Sequence, residues 1–240
     1  MKPEDLRLVS DFRQPYDHHF ASRYRSDLPE WRRSQVTTRT RREDHDMLAA
    51  VGLVVPERGT LDGSFRPERE VVAYLDPSAH RGEGKLRGAV RDLLRLDRVR
   101  PDTYASAWVG PPDGGRTLRF LAIGGGFFWW LDYRQRDPSE WRSNVGDVEV
   151  STHDGPQDPR PFFNALLNLQ KILREPLVAV DFVRDGRFDD EDAPLVAIDL
   201  ATAPGIAGTP VAEHRQRDVA EAIAARWHEL YQRRRAEDEA

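Results

Sequence analysis

The chain has 240 residues, 39% hydrophobic and 32% charged, with a formal net charge of −5 and no cysteine. This composition suits a globular chain with its own core. It excludes disulfides, thiolate catalysis and thiolate metal sites, and the negative charge gives no general attraction to nucleic acid or an anionic membrane.

Residues 1 to about 45 are polar and arginine-rich and contain DFRQPYDHHF; they read as an extended arm with one or two short strands or turns. MLAAVGLVVPERG, Met47 to Gly59, reads as a helix end stopped at Gly52 and an apolar stretch ended by Pro56. REVVAYLD, Arg69 to Asp76, is strand-like, and PSAHRGEGK follows as a glycine-bearing loop. KLRGAVRDLLRL, Lys85 to Leu96, has apolar positions at helical spacing. TYASAWVG, Thr103 to Gly110, is a strand, and TLRFLAIGGGFFWWLDYR is a hairpin with its turn at Gly124–Gly126. PRPFFNALLNLQKILREP is an amphipathic helix ending before Pro176. LVAVDFV and LVAIDLA are two strands joined by a polar turn segment, and His214–Arg235 makes a long closing helix. No apolar stretch reaches the ~18 residues of a membrane helix, and the N-terminus lacks the apolar segment of a secretory signal. The expectation is a cytoplasmic protein.

The near-repeat draws attention because each copy carries one acid, Asp181 and Asp199. If the matching units lie at similar depth in an antiparallel pair, both carboxylates share one sheet face. They then repel unless a positive group lies between them. One reading is a pair of strand-end turn caps; the other is a hard-cation site, two carboxylates with phosphate oxygens around Mg²⁺. The loop TAPGIAGTP after Asp199 favours the second, because glycine lets backbone approach a ligand closely. Basic residues number 36, yet only Lys2, Lys85 and Lys171 are lysine, which singles out Lys85 at the end of HRGEGK. FFWWLDY reads as hairpin packing rather than a base-stacking platform. His18 and His19 read as surface residues, and the other histidines show no metal spacing.

The order of these parts resembles the ATP-grasp superfamily of ATP-dependent carboxylate ligases over roughly residues 35 to 230. REVVAYLDPSAHRGEGKLRGAV matches its strand and flexible glycine loop, and TYASAWVG the strand whose backbone meets adenine. TLRFLAIGGGFFWW matches the arginine-bearing strand that opens the second subdomain, and YRQRDPSEWRSNVGD the segment ending in Arg and Asn. VAVDFV and AIDLATAPG match the acid and acid-x-Asn strands before Pro-Gly. Two positions depart from the pattern. Val72, Ala73 and Tyr74 stand where the family has a phosphate-contacting lysine, for which Lys85 is the candidate substitute, and Ala201 stands at the metal-binding asparagine. The Rossmann-like domain that usually precedes the core is not visible in the 35 to 45 residues before it.

The resemblance implies an α+β fold with two subdomains whose antiparallel sheets grip a nucleotide cleft. The divisions are an arm at 1–35, a small subdomain at 36–110 and a large one at 111–235. It implies ATP and Mg²⁺, with Asp181 and Asp199 on the metal. Gly82, Gly84 and Lys85 close over phosphate, Trp108 and Val109 meet adenine, and Asn144 contacts metal or phosphate. Arg119, Arg134 and Arg142 stabilise phosphate and the tetrahedral oxyanion. The implied activity is carboxylate–amine ligation through an acyl phosphate, on small-molecule or peptide substrates. The rivals are a non-catalytic nucleotide-binding protein on the same fold and an interaction protein that docks a partner through the aromatic arm.

Overall fold

The computed structural model describes residues 39–76, 84–110, 115–123, 127–143, 145–173, 177–185, 193–202 and 236. The arm at 1–38, most of the HRGEGK loop, the Gly124–Gly126 turn and the closing helix at 214–235 lie outside the described residues.

The first sheet has four strands, β1 (Arg58–Thr60), β2 (Glu70–Tyr74), β3 (Lys85–Ala89) and β4 (Tyr104–Ala107), in the order β1-β4-β2-β3 with every pair antiparallel. The helical spacing expected over Lys85–Leu96 does not hold at its start. KLRGA is β3, and only Val90–Leu93 forms a short helix, α2. Pairing decides this: β3 takes all five residues of β2 as partners, from Glu70↔Ala89 to Tyr74↔Lys85. A single short amphipathic stretch has too little intrinsic preference to resist that. Val71, Ala73 and Ala105 close a small core with Val90 and Leu93 from α2.

The second sheet has five strands, β5 (Arg116–Ile123), β6 (Phe127–Gln135), β7 (Val148–His153), β8 (Leu177–Arg184) and β9 (Leu195–Ala201), ordered β7-β6-β5-β8-β9, again all antiparallel. The β5–β6 hairpin and the two aspartate-bearing strands are where the sequence put them; β7 was assigned no element there. One face of this sheet packs against α3 (Arg160–Leu173) through Ala165, Leu166 and Leu169. Phe120 and Trp130 are cross-strand partners whose rings stack 4.3 Å apart, 6° from parallel, so Trp130, with Phe128 beside it, is core packing. Gly155 lets the chain cross that ring: a Cβ there would lie 2.6 Å from Trp130.

The remaining element, α1 (Arg41–Ala50), corrects the reading of residues up to 45 as an extended arm. Thr40 caps it, and Glu43 bonds back to the Thr40 amide, completing a capping box. Its buried stripe follows helical spacing: Arg41, Asp44, His45 and Leu48. Leu48 enters the core of the five-stranded sheet; Arg41 and His45 reach β9, and Asp44 pairs with Arg39 and Arg41.

Candidate functional site

A β-bulge builds the centre of the site. In the β8–β9 pair, Val183 faces Val196 and Phe182 faces Ala197, so regular register would set Ile198 across from Asp181. The register shifts there instead, and Asp199 becomes the direct partner of Asp181. Cross-strand partners share a face, so one inserted residue puts both carboxylates into the same cleft. The sequence expectation of one shared face holds, but by another route. The two LVA units run antiparallel and sit at opposite ends of the pair, not at equal depth. β9 is the edge strand of its sheet, and His45 Nε2 donates to the Ile198 carbonyl at 3.0 Å.

Two adjacent carboxylates need positive partners, and buried arginines behind the cleft supply them. Arg119, the direct cross-strand partner of Asp181 on the neighbouring β5, donates to both Asp181 oxygens at 2.7 and 2.9 Å and lies 4.7 Å from the Tyr133 ring centre. The adjacent carboxylate pushes the Arg119 pKa further up against the opposing effect of burial. Arg41 of α1 bonds Asp199. His45 fixes α1 in place. Because Nε2 donates to Ile198, its neutral ring accepts at Nδ1 from the Tyr104 hydroxyl at 2.8 Å. Burial pushes the His45 pKa down to about 4. One imidazole therefore ties the helix to both sheets.

The cleft lies between the sheets and has an empty volume of about 690 Å³, open solvent at its mouth included. From the four-stranded sheet come Tyr74, Lys85, Trp108 and Val109; from the five-stranded sheet come Asp181 and Asp199. Lys85 is half-buried with its Nζ 5.8 Å from the Tyr74 ring. Desolvation, then the Arg41 charge, lower its pKa to about 7, while Asp181 opposes the shift. The Arg87 guanidinium stacks 3.9 Å over Trp108, whose far edge meets Trp141. Trp141, Arg142 and Ser143 form a wall that Gly115 admits: a Cβ at Gly115 would lie 2.6 Å from the backbone of Arg142 and Ser143. Glu140 clamps the Arg142 guanidinium at 2.6 and 2.8 Å, which holds the Glu140 carboxyl below its usual range.

Of the residues singled out by sequence, Asp181, Asp199, Lys85, Trp108, Val109 and Arg142 line the cleft. Arg119 does not; it stands behind Asp181. Gly84 adjoins Lys85 in a left-handed conformation, φ 62°, at the rim. Arg134 is not brought to the cleft: its guanidinium is largely exposed and 3.7 Å from Asp132. Gly82 and Asn144 lie outside the described residues. Arg41, His45 and Tyr104 were missed. The signal was there in TRRE, a capping-box spelling at Thr40–Glu43 that starts a helix and predicts an inward stripe at Arg41, Asp44 and His45.

No protein-family model and no curated protein matches the chain. Solved structures do. The chain is similar to the D-cycloserine synthetase DcsG, with TM-score 0.57 and 16% identity over 92% of this chain and 79% of that one. It is similar to the ATP-grasp ligase PsnB complexed with a minimal precursor, TM-score 0.54 and 12% identity over 80% of this chain. It is also similar to D-alanine–D-alanine ligase from Bacillus anthracis complexed with ATP, TM-score 0.51 and 13% identity over 81% of this chain and 67% of that one. The chain therefore has the ATP-grasp fold, as the order of its motifs implied. It spans 61% of the length of PsnB.

Proposed function

We propose that this chain binds Mg–ATP in the cleft and joins a carboxylate to an amine. The observation that carries the reading is the bulge-set pair Asp181 and Asp199 facing the same cleft as Lys85. Three structures of the same fold add support by their own ligands: PsnB with minimal precursor, Mg and ADP, PsnB with precursor peptide and AMPPNP, and D-alanine–D-alanine ligase with ATP.

The donor set fits a hard divalent ion. Both groups are carboxylates, both lie on one face, and Mg²⁺ commonly takes one or two carboxylates and completes its shell with phosphate oxygens and water. Ala201 contributes no third side-chain ligand. Magnesium bound there would neutralise phosphate charge. The chain's own residues would do the rest. Lys85 and the Gly84 backbone meet the phosphates, and the Trp108–Val109 strand end meets the base. The Trp108 amide is already committed to the Glu70 carbonyl at 2.9 Å, so the base edge falls to the Trp108 carbonyl and the Val109 amide. Arg142, whose Nε and Nη2 are held by Glu140, brings its positive charge to the opposite wall. Arg119 acts through Asp181 by holding the orientation of that carboxylate. In the reaction, a substrate carboxylate attacks the γ-phosphorus and releases ADP. The amine then attacks the acyl phosphate, losing a proton, and inorganic phosphate leaves. The substrate class is a small or peptide carboxylate with an amine acceptor.

The absence of a lysine at Val72–Tyr74 and of a ligand at Ala201 favours a second reading, a nucleotide-binding protein without turnover. Calorimetry with ATP and Mg²⁺, followed by ADP release over a panel of amino acids and short peptides, separates the two. Mg-dependent binding with release supports the ligase. Binding without release supports the second reading, and no binding removes both.

A further inference from the structure

The two cleft carboxylates are paired, but they are not equivalent. Asp181 and its partner Arg119 belong to neighbouring strands of one sheet and meet through two parallel hydrogen bonds. Asp199 takes its partner from a separate helix: the Arg41 guanidinium bonds Asp199 Oδ1. Arg41 is almost fully buried, 3% exposed, with the Asp44 carboxylate at 3.6 Å and its Nε without a hydrogen-bond partner among the described residues. Burying a guanidinium that incompletely is costly. A stripe built only for packing would carry an apolar residue there, as it does at Leu48. His45 and the capping box fix the helix that presents the charge. Position 201, the next residue of β9 on the same face, is alanine and has nothing to offer a cation.

We propose that Arg41 is a positioning residue that serves as a tethered counter-ion for Asp199 and withholds that carboxylate from a divalent cation. A cation in the cleft then depends on the oxygens of the bound ligand and on the lone pairs of Asp181 that its two bonds from Arg119 leave over. The inference rests on reading the cleft as a cation and phosphate site, and it makes that site asymmetric. Guanidinium stays charged at any accessible pH, so only movement of α1 releases Asp199. Two like charges set directly across a strand pair become a far stronger cation trap once one loses its counter-ion.

The test is Mn²⁺ binding to the full chain without nucleotide, read by electron paramagnetic resonance of free Mn²⁺ and by calorimetry. Arg41→Met is expected to bind Mn²⁺ about tenfold tighter than the natural chain. Arg41→Lys keeps a cation in place and should stay near the natural affinity. Arg41→Met/Asp199→Asn should lose the gain. A general loosening of the fold would weaken metal binding, so a gain reports the freed carboxylate. No gain in Arg41→Met, or a gain that survives Asp199→Asn, overturns the proposal. If circular dichroism shows Arg41→Met unfolded, Arg41→Gln removes the same charge while keeping a polar group, with the same expected gain. A separate titration of the natural chain with ATP and Mg²⁺ keeps the two ideas apart. A Mn²⁺ gain without nucleotide binding sustains this inference and removes the ligase reading; nucleotide binding without the gain does the reverse.

Discussion

The Arg119–Asp181 pair lies in the interior, with side chains 12% and 9% exposed, where removing one ion leaves the other uncompensated. Arg119→Met is expected to destabilise the chain by about 3–5 kcal/mol, whereas Arg119→Met/Asp181→Leu should recover most of that loss. Urea unfolding of both variants and the natural chain gives the comparison, and a double variant no better than the single would contradict it. His45 gives a pH dependence. Its folded pKa of about 4 lies below the ordinary 6.5, so between these values the unfolded chain holds a proton that the folded chain lacks. Its stabilisation is complete above about pH 6.5 and falls as pH drops toward about 4, at up to about 1.4 kcal/mol per unit. His45→Gln keeps a donor and an acceptor but does not titrate. The stability difference between it and the natural chain should therefore shrink steadily on acidification, and a constant difference would sink the assignment. Asp181 and Asp199 were legible in the sequence because an acid inside a β-branched run is conspicuous. Arg41 was not, because it is 158 residues from Asp199 and every surface in an arginine-rich chain offers candidates; Arg119 was singled out, but for phosphate and the oxyanion rather than as the partner of Asp181.

At the scale of elements, α1 depends on its first turn. Thr40→Ala removes the bond from the Glu43 amide and breaks the capping box, at a cost of about 1 kcal/mol. Because Arg41, Asp44 and His45 all project from that turn and the next, the loss should be local as well as global. Amide exchange across 41–48 is expected to speed up by more than exchange in β5 and β8. Uniform acceleration would show that the helix has no separate role in holding the site. The misread elements share one cause. Lys85–Ala89 has apolar residues at helical spacing, but an edge strand is decided by its neighbour, and no local pattern encodes the five-residue match to β2. Val148–His153, a 6-residue edge strand of half-exposed and exposed residues, alternates only over Val-Glu-Val-Ser, too short a signal to stand alone, and takes its pairing from β6. β8, β9 and the β5–β6 hairpin were readable because both their faces are largely buried, which writes long apolar runs into the sequence. The Ile198 bulge was invisible: one inserted residue leaves composition unchanged while reversing which side chain faces the cleft.

For the whole molecule, the cleft exists only where two sheets with separate cores meet. Tyr74, Lys85 and Trp108 come from one and Asp181 and Asp199 from the other, and among the described residues α1, packed on β9 and bonded to Tyr104, and the Trp108–Trp141 contact cross between them. A ligand that touches both walls adds a further bridge. Such a ligand stabilises the folded chain by RT ln(1 + [L]/Kd), about 2.7 kcal/mol at a hundredfold excess over Kd. It should also raise the unfolding temperature of both sheets together. Thermal unfolding of the natural chain is expected to shift upward with ATP plus Mg²⁺ and by less with either alone. Tryptophan emission, to which Trp108 and Trp141 at the cleft and Trp130 in the larger core contribute among the chain's six, should move at one temperature in the saturated protein. Asp181→Asn should remove the Mg-dependent part of the shift, because it deletes the carboxylate charge while keeping the side-chain shape. A shift with nucleotide alone, insensitive to Asp181→Asn, would mean that Lys85 and the arginine-backed cleft hold phosphate without a cation. No shift under any of these conditions would leave the two carboxylates as structural partners of Arg41 and Arg119 and nothing more.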